Sequence, residues 1–167
     1  MSDVSADGGG GAHRRHSFLL KLTDKPGGME LIAATFAHRG ISLTAILGND
    51  GTLDPNGHAT VLVTFTTTDA RKEALQRTLA RLARVVSVTE EPDDAPGARV
   101  VALVRLAPDA PAPDMLPSGT VERLCGDPAA GETIYTLIGP PDAVDVALRG
   151  LRASGSLRAV NYTMLAV

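Results

Sequence analysis

The sequence predicts an α+β protein made of two consecutive β-α-β-β-α-β units, each an antiparallel sheet with its helices on one face. Three observations predict it. Apolar runs of strand length alternate with helix-period stripes in that order over residues 16–90. A strand–turn–helix segment then recurs at a constant offset further along the chain. Between the two lies a charged, Pro- and Gly-bearing stretch, Glu90–Ala98, that reads as a linker at 91–98.

Residues 1–13 are mostly Gly, Ser, Asp and Ala, too polar to bury a core, and are expected to form a flexible tail. His16–Leu22 is a short apolar run and the first strand. Thr23–Gly28 is a dense turn signal. Met29, Ile32, Ala33, Phe36 and Ala37 then fall at i, i+3, i+4, i+7 and i+8, one stripe of a helix that Gly40 stops. Ile41–Leu47 is a second strand, and Gly48–Gly57 a polar hairpin turn. Ala59–Phe65 is a third strand. A second helix starts at Thr68–Asp69, with Ala70, Ala74, Leu75, Leu79 and Leu82 along one side. Val85–Val88 closes the unit. This is the ferredoxin-like split βαβ order, and it spans residues 14–90.

The second unit, 99–167, echoes the first. Thr60–Phe65, Asp69-Ala70 and Ala74-Leu75 recur as Thr133–Ile138, Asp142-Ala143 and Ala147-Leu148, an offset of 142 − 69 = 73. Val100–Leu106 is its first strand, followed by Asp109 and Pro111 at the spacing of Asp24 and Pro26, now with offset 109 − 24 = 85. The difference of 85 − 73 = 12 residues falls where the first unit holds its first helix and second strand. Pro117, Gly119 and Pro128 limit any helix there to about two turns around Val121–Cys125. The second unit is expected to be a degenerate copy.

Composition narrows the function. The 167 residues carry a net charge of −3, which disfavours general attraction to nucleic acid, and only 3% are aromatic, too few for a base-stacking surface. The single Cys125 allows neither an internal disulfide nor a cysteine-rich metal site, and a buried or half-buried thiol is the plain expectation for it. No apolar run reaches the roughly 18 residues of a membrane helix, and the N-terminus lacks a secretory pattern. A soluble cytoplasmic protein is expected. His13, His16, His38 and His58 lack metal-ligand spacing and are expected at surfaces or edges, so no metal is assigned. No acidic or nucleophilic group has dyad or triad spacing, which argues against an enzyme. The basic run on the second helix (Arg71, Lys72, Arg77, Arg81, Arg84) is a solvated helix face or a contact for an acidic partner.

The chemically informative segment is Asp24-Lys25-Pro26-Gly27-Gly28, which joins a strand to a helix N-terminus. Free amides and the helix dipole there favour an anion, and the two glycines let a ligand approach the backbone. Asp24 beside them can accept from an ammonium group, so the loop suits a zwitterion such as a free amino acid. In the alternative, Asp24 caps the helix while Pro26 and Gly27 shape the turn. Ser42 opens the second strand, either facing the same edge or serving as an ordinary strand residue.

The segment FLLKLTDKPGGMELIAATFAHRGISLTAI resembles the ACT domain, a small ligand-binding regulatory module. LDPNGHATVLVTF and LARLARVVSV narrow the resemblance to the small regulatory subunit of acetolactate (acetohydroxyacid) synthase, which also pairs two such domains. That resemblance implies a homodimer holding a branched-chain amino acid, usually valine, at its interface, and a thiamine-diphosphate-dependent catalytic subunit as partner. It implies effector contacts at Asp24 and Gly27, with Gly28 and Met29 next along, and at Ser42, where the family commonly has Asn. It implies no catalysis and no cofactor in this chain. A stand-alone amino-acid sensor is the alternative; a small ferredoxin-like enzyme is the third reading.

Overall fold

β1 (Arg14–Thr23) carries apolar side chains on both of its faces, and that property organises the whole molecule. The computed structural model describes residues 11–92, 94–95, 97–114, 116–117, 119–127 and 132–165. The expected tail at 1–13 lies largely outside the described residues. After β1 come α1 (Gly28–His38), β2 (Leu43–Asn49), a 3-10 turn (Gly51–Leu53), β3 (His58–Thr67), α2 (Asp69–Leu79) and β4 (Val85–Glu90). β5 (Arg99–Leu106), β6 (Thr120–Asp127), β7 (Glu132–Gly139), α3 (Pro141–Ala153) and β8 (Leu157–Leu165) follow. The strands form two four-stranded antiparallel sheets with the same order, β2-β3-β1-β4 and β6-β7-β5-β8. The α+β class read from the sequence is the observed one.

In the first sheet, Phe18, Leu20 and Leu22 of β1 and Val61, Val63 and Phe65 of β3 face the helices. They bury against Ile32 and Phe36 of α1 and Leu75 and Leu79 of α2. Phe65 is the hub: Phe18 and Phe36 meet it edge-on at 5.1 and 5.0 Å.

The other face of this sheet is also covered. Leu62 of β3 belongs to the second core, and Leu19 and Leu47 pack against it. That core comprises Val100, Ala102, Val104 and Leu106 of β5 with Leu137, Val144, Leu148 and Met164. Ser17 donates to Met164 Sδ at 3.5 Å, and Arg15 reaches Asp145 of α3 at 2.6 Å. The runs FLL in β1 and VLV in β3 lack polar alternation for this reason: both faces are buried.

The second unit corrects one expectation. Residues Val121–Cys125 are not helical; they lie in β6, paired with β7 from Thr120↔Ile138 to Asp127↔Glu132. Among the described residues, what this unit lacks relative to the first is a helix between β5 and β6. Ala45 opposes Thr64, and its counterpart Val121 opposes Leu137, so the strand keeps an offset of 121 − 45 = 76. Nine of the twelve residues are therefore lost before this strand (85 − 76) and three in the hairpin after it (76 − 73). The apolar spacing of Val121, Leu124 and Cys125 mimics a helix turn, but the β7 edge offers a full ladder of partners, and pairing prevails. Prolines at 108, 111, 113 and 117 exclude a helix between β5 and β6. Leu116, 6% exposed, plugs the second core from that segment.

Candidate ligand-binding site

Four residues, Asp24–Gly27, carry the chain from β1 into α1. Gly27 is the N-cap and adopts φ 86°, a left-handed conformation that glycine takes without strain. α1 has no side-chain cap, so its first amides retain donors for a ligand. Asp24 does not cap α1, contrary to the alternative expectation for it. Its carboxylate instead accepts the amide hydrogen of Gly51 at 3.2 Å, across in the β2–β3 hairpin. The loop is held from behind by Arg84, which donates to the Pro26 carbonyl, while Thr23 donates to the Arg84 carbonyl at 2.9 Å.

These contacts frame a cavity of about 460 Å³. Asp24, Lys25, Gly27, Gly28, Met29 and Glu30 form one wall; Gly48, Asn49 and Asp50 form the opposite wall; Leu22, Ala59 and Val61 supply apolar surface. Met29 leans across β2 so closely that a Cβ at Gly48 would stand 3.0 Å from its Sδ. Thr52, donating at 3.1 Å, holds the Asp50 carboxyl below the usual carboxylate range. The cavity thus sets carboxylates beside uncapped helix amides and an apolar patch. That combination matches an ammonium, a carboxylate and a short aliphatic group on one small molecule, and the volume suits such ligands, whose sites run about 300–1,000 Å³.

Of the five residues marked by sequence, Asp24, Gly27, Gly28 and Met29 line this cavity, and Ser42 does not. Ser42 is exposed just before β2, in a separate depression with Phe36, Gly40 and Leu43. Leu43 opposes Phe65 whereas Thr23 opposes His58, seven residues along β3. Ser42 is therefore roughly 23 Å from the loop of its own chain. Sequence reasoning missed Gly48, Asn49 and Asp50. Their signal was the GNDG run, read only as a turn.

Of the histidines, His13 and His38 are exposed, and His58 is half-buried beside Asp54. His16 departs from expectation. It is buried at 7% exposure, with Nε2 3.2 Å from the Thr67 carbonyl oxygen and Nδ1 3.7 Å from Glu90. Phe65 packs against its ring, and this aromatic contact, invisible in sequence spacing, draws it inward. Among the described residues no cluster of His, Cys, Asp and Glu is placed to hold a metal ion, and no helix is long and apolar enough to cross a membrane. The Cys125 side chain lies outside the described residues.

No protein-family model matches the sequence, and no curated protein matches it. Solved structures do. The regulatory subunits of aspartate kinase from Thermus thermophilus and Thermus flavus align at 19% and 21% identity with TM-scores of 0.47 and 0.42. They cover 84% and 87% of this chain and 91% and 96% of their own. The acetolactate synthase small subunit from Thermotoga maritima aligns at 19% identity with a TM-score of 0.63, covering 92% of this chain and 96% of that one. Across nearly its whole length, the chain is thus similar in fold to that small subunit: an α+β pair of four-stranded antiparallel sheets.

Proposed function

We propose that the chain is a non-catalytic regulatory protein that binds a branched-chain amino acid, such as valine, in the cavity at Asp24–Met29. It acts as a dimer and modulates an acetolactate-synthase-like catalytic subunit. The observation that carries this reading is the meeting of Asp24 with the uncapped start of α1 above an apolar patch. Asp24 gives one acceptor site to Gly51 and keeps others for an ammonium group. The amides of Gly28 and Met29 take the ligand carboxylate; Leu22, Ala59 and Val61 receive the side chain. Ser42 joins the site only when a second copy supplies it. Regulation follows if the ligand binds one arrangement of the dimer better than another.

Calorimetric titration with valine, leucine and isoleucine tests the site. Saturable binding to the wild type, weakened at least about tenfold in Asp24→Ala, is the expected result. No binding of any of the three, or equal binding by the variant, overturns it. Recovery of a thiamine-diphosphate enzyme on co-purification tests the partner.

A further inference from the structure

A second cavity, of about 550 Å³, opens between the C-terminal turn of α1 and the face of α2. It is lined by Thr35, His38, Arg39, Arg71 and Thr78 over Ile41 and Ala74, without a carboxylate. Its two arginines are held by uncharged acceptors. Arg71 donates to the Arg39 carbonyl at 2.7 Å, and Arg39 donates to the Thr78 hydroxyl. Neither forms an ion pair among the described residues, whereas neighbouring cations do: Arg14 with Asp69, Lys72 with Glu90, Arg77 with Glu73. Each guanidinium has five N–H donors, and each is shown using only one here. Two positively charged forks, one just past the end of α1 and one on α2, with spare donors and a third donor in His38, make a concave, cationic lining.

We propose that this cleft is an oxyanion site that takes the phosphate group of a small phosphorylated ligand. Arginine forks match the paired oxygens of phosphate, and two of them approaching from different elements match its tetrahedral shape better than a planar carboxylate. The cleft lies over the helix layer and shares no lining residue with the Asp24 cavity, so this ligand is distinct from the amino-acid effector. The arrangement has a structural role too, since Arg71 covers a carbonyl at the end of α1. The test separates the two roles.

The probe is inorganic phosphate, titrated against the full chain at constant ionic strength with chloride as the balancing anion, and read by calorimetry and thermal unfolding. Saturable binding with a rise in Tm is expected for the wild type and for Arg81→Gln, which leaves the cleft intact. Binding weakened at least about tenfold is expected for Arg39→Gln/Arg71→Gln. Arg71→Lys keeps the charge and a donor but loses the fork, so it folds if the double variant does not, and intermediate binding is expected of it. AMP against adenosine distinguishes a nucleotide from free phosphate: tighter binding of AMP than of phosphate, with none of adenosine, identifies a nucleotide as the source. Equal responses to phosphate and chloride, equal responses of wild type and Arg71→Lys, or binding of polyglutamate but not phosphate each overturn the proposal.

Discussion

The carboxylate of Asp24, the first residue after β1, accepts a hydrogen bond from the amide of Gly51, in the turn after β2, at 3.2 Å. This bond ties the strand–helix loop to the hairpin and so sets the width of the cavity between them. Gly51 cannot carry a side chain there: its Cβ would stand 2.5 Å from the carbonyl oxygen of Gly57, which is backbone and cannot step aside. Gly51→Ala is expected to displace the turn, destabilise the fold by about 1–3 kcal/mol and weaken amino-acid binding. Urea unfolding and calorimetric titration measure the two effects.

Gly27 tests the other wall. At φ 86°, an alanine carries the left-handed penalty, about 1–2 kcal/mol. Gly27→Ala is expected to lower thermal stability by that amount while leaving Asp24 and its bond to Gly51 in place. An unchanged Tm would refute this account of the loop.

Leu62 tests the union of the two units. It is 6% exposed on β3, yet its neighbours belong to the second core. Leu62→Ala is expected to cost about 2–5 kcal/mol and to make unfolding depart from a single transition. Chemical denaturation followed by two probes checks it: coincident curves at wild-type stability would contradict a shared core.

Asp54 gives a pH signature. Lys21 donates to it at 3.0 Å and the amide of Asn56 at 2.7 Å, and these bonds hold its carboxyl below the ordinary value of 3.8. A carboxyl whose pKa is depressed on folding stabilises the protein above its unfolded pKa, and the contribution disappears as pH falls through the folded one. The loss attributable to Asp54 therefore begins near pH 4 and continues below it. Asp54→Asn is expected to be less stable than wild type at neutral pH and to lose less stability on acidification. Tm measured from pH 7 down to pH 3 reads the convergence of the two curves.

Much of the fold was written in local pattern. α1 follows from the Met29–Ala37 stripe and the Gly40 stop, and the β3–α2 repeat announced β7 and α3 through a constant offset. β6 was not legible because TVERLC has no clean alternation, and what makes it a strand is the edge of β7, a partner remote in any local window. The site was half legible for a related reason. Asp24, Gly27, Gly28 and Met29 are contiguous in sequence, whereas Asn49 and Asp50 reach them only through the β1–β3–β2 register. His16 reads as an edge residue until Phe65 packs against it from β3.

The prolines between β5 and β6 also bear on stoichiometry. Asp109 and Pro111 preserve the spacing of Asp24 and Pro26, but among the described residues no helix lies between β5 and β6, so the described part of that segment offers no counterpart to the amides that α1 presents. Under the proposed reading, each chain saturates with one amino acid rather than two. On that reading the two halves would divide their labour: the half with the crossover helix would receive the signal, and the other could change its own surface without loss of the effector.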